Sequence, residues 1–321
     1  MLRTFLFLLF LVASGVGAYY WEQASFNETG PAEREAVVLI VPGGGIARIS
    51  QKLAESGEIR NAELFKWGVR LRGVAGELKA GEYDIPAHAS EADIAKLLIA
   101  GASVQHRITA AEGLTSQMIY TIIANDSALT GDAGSVPSEG TLLPETYLFT
   151  RGETREQLLA KMAAAQARFL DEKWPARASG LPVKSLREAI TLASIVEKET
   201  AIPAERRHIA AVFINRLRLG MKLQSDPTII YGITRGYPLG RGIRQSELAR
   251  ATPYNTYAIS GLPPTPICNP GKDSVAAVLD PASSRDLYFV ADGTGGHVFT
   301  ADIAEHERNV ARWRKIEAAH H

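Results

Sequence analysis

The sequence predicts an α+β protein in three parts: an N-terminal membrane helix, a small β-α-α-β-α domain and a larger mixed α+β domain. Three observations predict it. Residues 4–21 carry no charge, residues 36–105 combine short apolar strands with capped helices, and from residue 106 long helical stripes give way to short segments broken by Pro and Gly. At 321 residues the chain is long enough for more than one core. Its 46% hydrophobic and 22% charged content is the balance of a globular protein, not a disordered one.

The first part is the run from Thr4 to Trp21. At about 1.5 Å per residue it gives roughly 27 Å of helix, close to a hydrocarbon core of about 30 Å. Tyr19, Tyr20 and Trp21 stand where an interfacial aromatic belt belongs, and Arg3 favours a cytoplasmic N-terminus with residues 22 onward outside. Residues 1–21 are therefore expected to be a single-pass anchor. A cleaved signal peptide competes with that reading, because Val16-Gly-Ala18 offers small residues to a peptidase. Both readings export the rest of the chain. Residues 22–35, polar and interrupted by Gly30-Pro31, read as a tether.

The small domain is expected over residues 36–105. Val37 to Val41 is a five-residue apolar strand that ends at Pro42 and three glycines. A helix carrying Ile46, Ile49 and Leu53 follows and stops at Gly57. Asn61 can cap a second helix with Leu64, Phe65 and Val69. Lys79 to Tyr83 leads into another strand, and a third helix, Glu91–Ala100, begins after Ser90 and ends at Gly101. No catalytic cluster is visible here.

The large domain is expected over residues 106–321. Thr154 and Gln157 spell a capping box for a helix from Arg155 to Leu170, and Ser185 with Glu188 spells another for a helix reaching about Thr200. Pro203 suits the first turn of the next helix, whose buried stripe is Ile209, Val212, Phe213 and Leu217. Leu287–Ala291 and His297–Phe299 flank a Gly-rich turn and read as a hairpin. A helix from Ile303 to Ala319 closes the chain.

Composition excludes several function classes. Thirty-five basic and thirty-five acidic residues leave zero formal net charge, so nothing draws the chain toward nucleic acid. Cys268 is the only cysteine, which rules out an internal disulfide or a Cys-rich zinc site. No cysteine stands directly after the apolar run, so a lipidated anchor is not expected. The seven histidines lack ligand spacing. His208 reads as a surface or helix-end residue, His297 as part of the hairpin, and Cys268 as a loop or core thiol without a His or Asn partner.

The helix beginning at Ser185 carries the informative acids. Leu186, Ala189, Ile190, Leu192, Ala193, Ile195 and Val196 cover nearly every side of it, which predicts burial all round. Glu197 and Glu199 at the end of a buried helix require an explanation, since an unpaired buried carboxylate is costly. Either they pair at a frayed end with Lys198, Arg206 or Arg207, or one sits in a cleft with its pKa raised for proton transfer. Periodicity leaves both open. Glu197 continues the Leu186–Ile190–Ala193 stripe toward the core, while Glu199 falls beside Leu192 and Glu188, nearer an edge or groove.

Five ordered blocks then carry a resemblance: Ala193-Ser-Ile-Val-Glu-Lys-Glu-Thr200, Val212-Phe-Ile-Asn-Arg-Leu217, Leu223-Gln-Ser-Asp-Pro-Thr228, Tyr254-Asn-Thr-Tyr257 and Gly261-Leu-Pro-Pro264. With Tyr288–Asp292 and Gly295–His297, they resemble the YceG-like family of endolytic murein transglycosylases across nearly the whole chain. The resemblance implies a LysM-like small domain and cleavage of MurNAc–GlcNAc bonds within peptidoglycan glycan strands. It also implies 1,6-anhydro ends, no metal or organic cofactor, a place at the bacterial inner membrane and company with peptidoglycan synthases. The second acid of Glu-Lys-Glu, Glu199, matches the family's catalytic glutamate, with Glu197 as the fallback. One acid suffices when the substrate's own C6 hydroxyl is the nucleophile, because the same carboxyl gives a proton and later takes one.

Gln224, Asp226, Tyr254, Asn255 and Thr256 lie in loop-like blocks rich in hydrogen-bonding groups, as a sugar cleft requires, although the same spellings build turns. Glu145 either lines the cleft or pairs with a base. Asn215 and Arg216 are candidate positioning groups, though an Arg at a helix end is commonly a surface cation. Two rival functions remain: a hydrolytic glycosidase pairing Glu199 with Glu145 or Asp226, and a non-catalytic scaffold for wall-synthesis proteins.

Overall fold

A computed structural model describes residues 2–319 as two compact units with an α+β composition. The smaller comprises the chain to His106 with Ala128–Thr130 and Leu148–Glu153. The larger comprises Arg107–Ser127, Gly131–Tyr147 and the chain from Thr154 onward.

The smaller unit begins with α1 (Leu2–Phe26), an apolar helix whose apolar run is exposed. It is long and apolar enough to cross a membrane. The helix outruns the apolar stretch. Five residues expected in the tether, Glu22 to Phe26, continue it, because Glu22 and Phe26 find burial against α3 (Ala62–Leu71). Two strands, β1 (Ala36–Ile40) and β2 (Gly81–Ile85), pair antiparallel with Val38 opposite Tyr83. Val38 and Ile40 face inward while Val37 and Leu39 face out, the period-two alternation of a one-sided sheet. Helices α2 (Gly45–Glu55), α3 and α4 (Glu91–Ala100) supply Ile49, Leu53, Phe65, Val69, Ile94 and Leu98 to the same core. Asn61 accepts from the amides of Glu63 and Leu64, and Ser90 from Asp93; Gly101 turns left-handed to end α4. The strand order, helix order and caps expected for residues 36–105 are thus present.

A second short ladder pairs β3 (Gln105–Thr109) with β4 (Thr146–Thr150). Helix α5 (Ser116–Ala124) lies between these strands in sequence, and α6 (Arg155–Lys173) begins at the expected capping box of Thr154 and Gln157. At the centre of the larger unit is α7 (Leu186–Glu199). Its Ala189, Leu192, Ala193, Ile195 and Val196 are sealed by α8 (Arg206–Arg218) and, later in the chain, α11 (Lys272–Leu279). Ser185 caps α7 as expected, but Glu188 reaches past the cap amide to accept from Lys184 N at 2.6 Å. Two helices of the expected Pro- and Gly-punctuated region, α9 (Asp226–Thr234) and α10 (Gln245–Ala249), precede α11. The hairpin β5 (Tyr288–Ala291) and β6 (His297–Thr300) pairs Phe289 with Phe299, and α12 (Ile303–Ala319) packs on it.

Candidate active site

Thr200 takes an extended conformation and its hydroxyl accepts from Ile202 N at 3.0 Å, so α7 stops at Glu199. There the side chain meets the start of α9. Ser225 occupies the N-cap position of that helix, where a serine ordinarily accepts from an amide one turn on. It makes no such cap. Instead its hydroxyl donates to Glu199 Oε1 at 2.5 Å. Ser225 is fixed from behind: its N–H donates to Thr256 Oγ1 at 2.9 Å, and the Thr228 hydroxyl donates to its carbonyl at 2.6 Å. Gln224, in the left-handed region at φ 52°, is held by its amide on Thr256 O at 3.1 Å. A non-glycine residue there costs energy that its surroundings must offset.

Arg216, only 6% exposed, braces the other side of the groove. Its Nε donates to Leu287 O at 2.6 Å and its Nη1 to Leu223 O at 2.7 Å, tying α8 to the hairpin and to the strand of chain before α9. Tyr257 donates its hydroxyl to Asp226 Oδ1 at 2.7 Å. These residues line a groove of about 550 Å³ together with Glu199, Gln224, Phe289, Val290, His306 and Val310. One wall is polar; the other, from β5 and α12, is largely apolar, as a sugar ring with a hydroxylated edge and a C–H face requires.

Glu199 is the electrostatically unusual acid of this groove. Burial pushes its pKa up to about 7; the Ser225 hydrogen bond opposes that, Asp226 adds to it, and His297 and Arg216 oppose it. Among the described residues it has no ion-pair partner. Burial and the bond to Asp226 push the Tyr257 phenol upward, so it remains a donor. Burial and Arg216 lower the pKa of His306. The arrangement offers a carboxyl that is about half protonated near neutrality, at the edge of an open groove, with hydrogen-bonding groups beside it.

Residues 38–312 match the YceG-like family. The chain belongs to it. Among YceG-like relatives, it is 28% identical over 324 residues to the endolytic murein transglycosylase of Bacillus subtilis strain 168, covering 91% of this chain and 89% of that protein. It is 30% identical over 359 residues to the endolytic murein transglycosylase of Streptococcus pneumoniae serotype 2 strain D39, covering 95% of this chain but 64% of that longer protein. The crystal structure of a yceG-like protein from Listeria monocytogenes superposes with a TM-score of 0.52 at 28% identity, over 86% of this chain and 99% of that one.

Within this YceG-like chain, the candidate residues separate into two groups. Glu199, Gln224 and Asp226 line one groove. Tyr254, Asn255 and Thr256 do not line it. Asn255 is buried with Nδ2 donating to the carbonyls of Glu247, Leu248 and Arg250, and Thr256 is buried under Ser225. Tyr254 bonds Thr265 at 2.8 Å and packs on Tyr231. Glu145 pairs with Lys272 away from the groove, and Asn215 donates to Ser284 O and Asp286 O. Glu197 Oε2 accepts from Gly271 N at 2.9 Å, anchoring the start of α11. Cys268 is buried, with its thiol pushed up by that burial. His208 pairs with Asp286 and His297 with Glu205, and among the described residues no group of three His, Cys, Asp or Glu is disposed to hold a metal. Tyr257, Phe289, Val290, His306 and Val310 line the groove, and Ser225 bonds its acid, without having been singled out. Ser225 and Tyr257 at least sit inside two of the sequence blocks.

Proposed function

We propose that this chain is an endolytic lytic transglycosylase acting on peptidoglycan glycan strands, with Glu199 as the single acid/base. The observation that carries the reading is the Glu199 carboxyl, raised to about 7 by burial at the edge of the groove and without an ion-pair partner among the described residues. Family membership and the names of the relatives support the substrate class.

Protonated Glu199 donates to the glycosidic oxygen as the MurNAc C1–O bond breaks. The carboxylate so formed takes the proton of the C6 hydroxyl while that oxygen bonds to C1, giving a 1,6-anhydro end and regenerating the acid. A pKa near 7 suits both halves of this cycle. Ser225 holds the carboxyl in one orientation through either protonation state, since its hydroxyl both donates and accepts. Gln224 and Asp226 supply hydrogen-bonding groups for substrate, and Arg216 acts as a positioning residue through Leu223 and Leu287. No cofactor enters the scheme.

The remaining parts of the reading are architectural. Helix α1 anchors the chain in the bacterial inner membrane, N-terminus cytoplasmic. Residues 36–105 form a LysM-like subdomain and residues 106–321 the catalytic domain, outside the membrane beside the peptidoglycan synthases. The scaffold role, on this reading, accompanies catalysis.

A hydrolytic second reading has one observation in its favour: Asp226 lines the same groove as Glu199 and could activate water. Digestion of purified glycan strands, with products read by mass spectrometry, separates the two, because anhydro and reducing ends differ by one water. Wild type is expected to yield internal cuts with anhydro ends. Glu199→Gln is expected to lose about 10²–10⁴-fold of the rate, the span of general acid–base catalysis. Reducing ends would establish the hydrolase, and activity that survives Glu199→Gln but not Glu197→Gln would move the assignment to Glu197.

A further inference from the structure

Helix α3 meets α1 just beyond its apolar run. A Cβ at Gly68 would lie 2.4 Å from Phe26 Cδ2 and 2.7 Å from Glu22 Oε1, so the approach admits only glycine. Arg72 closes the contact. It donates to Glu22 Oε1 at 2.7 Å and to Gln23 Oε1 at 2.8 Å, and its guanidinium lies 3.8 Å over the Phe26 ring. Phe65, nearer the start of α3, stacks on Phe26 at 6.1 Å. Helix α3 therefore packs on the last two turns of α1, with Phe65, Gly68 and Arg72 all touching Phe26 and with Arg72 reaching Glu22 and Gln23. Those two residues directly follow Trp21, so the contact reaches to within one helical turn of the aromatic end of the run. The interfacial zone on each side of a hydrocarbon core is itself about 5–7 Å deep.

The buried face of α3 is Phe65, Gly68 and Val69. Its outer face carries Trp67, Arg70 and Leu71, at i, i+3 and i+4, one continuous stripe. Trp67 is 62% exposed and Leu71 56%, in a unit whose other aromatic side chains beyond α1 are largely covered. Arg70 is exposed and makes no ion pair among the described residues. An indole, an alkyl side chain and a free guanidinium on one face are the composition of a helix lying in a headgroup layer.

We propose that this stripe is a second membrane contact. Trp67 and Leu71 enter the interface of the bilayer that α1 crosses, and Arg70 meets lipid phosphates. The small unit is then held on the membrane surface instead of swinging on a tether. The occupant is the lipid interface because the stripe belongs to the helix that packs on the turns directly following the exposed aromatic end of α1, Tyr19, Tyr20 and Trp21. The inference rests on α1 being the membrane anchor.

The test uses the full-length chain in vesicles containing phosphatidylglycerol, with a nitroxide at one introduced cysteine at a time: Trp67→Cys, Leu71→Cys, Gln51→Cys and Val12→Cys. Cys268 is buried and stays in place. Accessibility to oxygen against a water-soluble nickel chelate reports depth. Labels at 67 and 71 are expected to show an oxygen-to-nickel ratio severalfold above that at the exposed Gln51, and below that at Val12 in mid-span. Labels at 67 and 71 that match Gln51 while Val12 reports hydrocarbon would overturn the docking and leave the anchor standing. Labels at 67 and 71 screened from both reagents and broadened by spin–spin coupling would assign the stripe to a second copy of the chain, also overturning the proposal. A water-accessible Val12 would sink the anchor reading and the docking with it.

Discussion

Replacing Glu199 by Gln should make the protein more stable in alkaline solution while removing its activity. Unfolded, the carboxyl titrates near its ordinary value of 4.5; folded, burial holds it to about 7. Between those values the folded state keeps a proton that the unfolded state has released, so stability falls as pH rises through the window. Above about pH 7 the cost is fully present. At about 1.4 kcal/mol per pH unit it comes to about 3 kcal/mol. Gln is nearly the same shape, carries no charge, and keeps an oxygen to accept from Ser225, though a neutral acceptor forfeits about 1 kcal/mol of that bond. The net expectation is a variant more stable by about 2 kcal/mol at pH 8, and no more stable than wild type at pH 4, where both side chains are neutral in the fold. For a unit of this size that is about 4–8 °C in Tm. Scanning calorimetry of both full-length proteins in detergent at the two pH values measures it. A Gln variant no more stable than wild type at pH 8, or one equally stabilised at pH 4, would refute the claim that burial strains this carboxylate.

Other outcomes follow from the same contacts. The kcat/KM for glycan cleavage should fall about tenfold per pH unit above an apparent pKa near 7, because the donor must be protonated; a profile flat from pH 6 to 9 would contradict Glu199 as the acid. Glu197→Gln should retain activity within a few-fold but lose about 1 kcal/mol, since the bond to Gly271 N loses its charged acceptor; loss of turnover with unchanged Tm would contradict that structural role. Arg216→Lys should destabilise by about 2–4 kcal/mol, because one ammonium cannot serve both Leu287 O and Leu223 O in a buried site; an unchanged urea midpoint would contradict the bracing role.

Local signals in the sequence were enough for the pieces of the fold whose causes are local. The caps at Asn61, Ser90 and Thr154, the glycine stop at Gly101 and the hairpin around Asp292–Gly296 depend on residues within a turn of each other, and each is found where expected. The extension of α1 to Phe26 was not legible, because the partner that buries Glu22 and Phe26 lies some forty residues away on α3. The site divides along the same line. Polar residues in a Pro- and Gly-punctuated stretch read alike whether they face a sugar or a carbonyl. Asn255 and Thr256 turned inward because three backbone carbonyls and the Ser225 amide needed partners there. Arg216, legible only as a cation at a helix end, is buried for the same kind of reason. Periodicity could place Glu197 and Glu199 on different faces but could not say what each face meets. The tertiary structure supplies that: Glu197 finds a backbone N–H and becomes an anchor for α11, whereas Glu199 finds a neutral hydroxyl and an open groove. The Ser225 hydroxyl does not offset the cost of burying the Glu199 carboxylate, so that carboxyl is raised toward neutrality. Two acids separated by a single lysine thus come to hold different roles, because of where α9 and α11 begin.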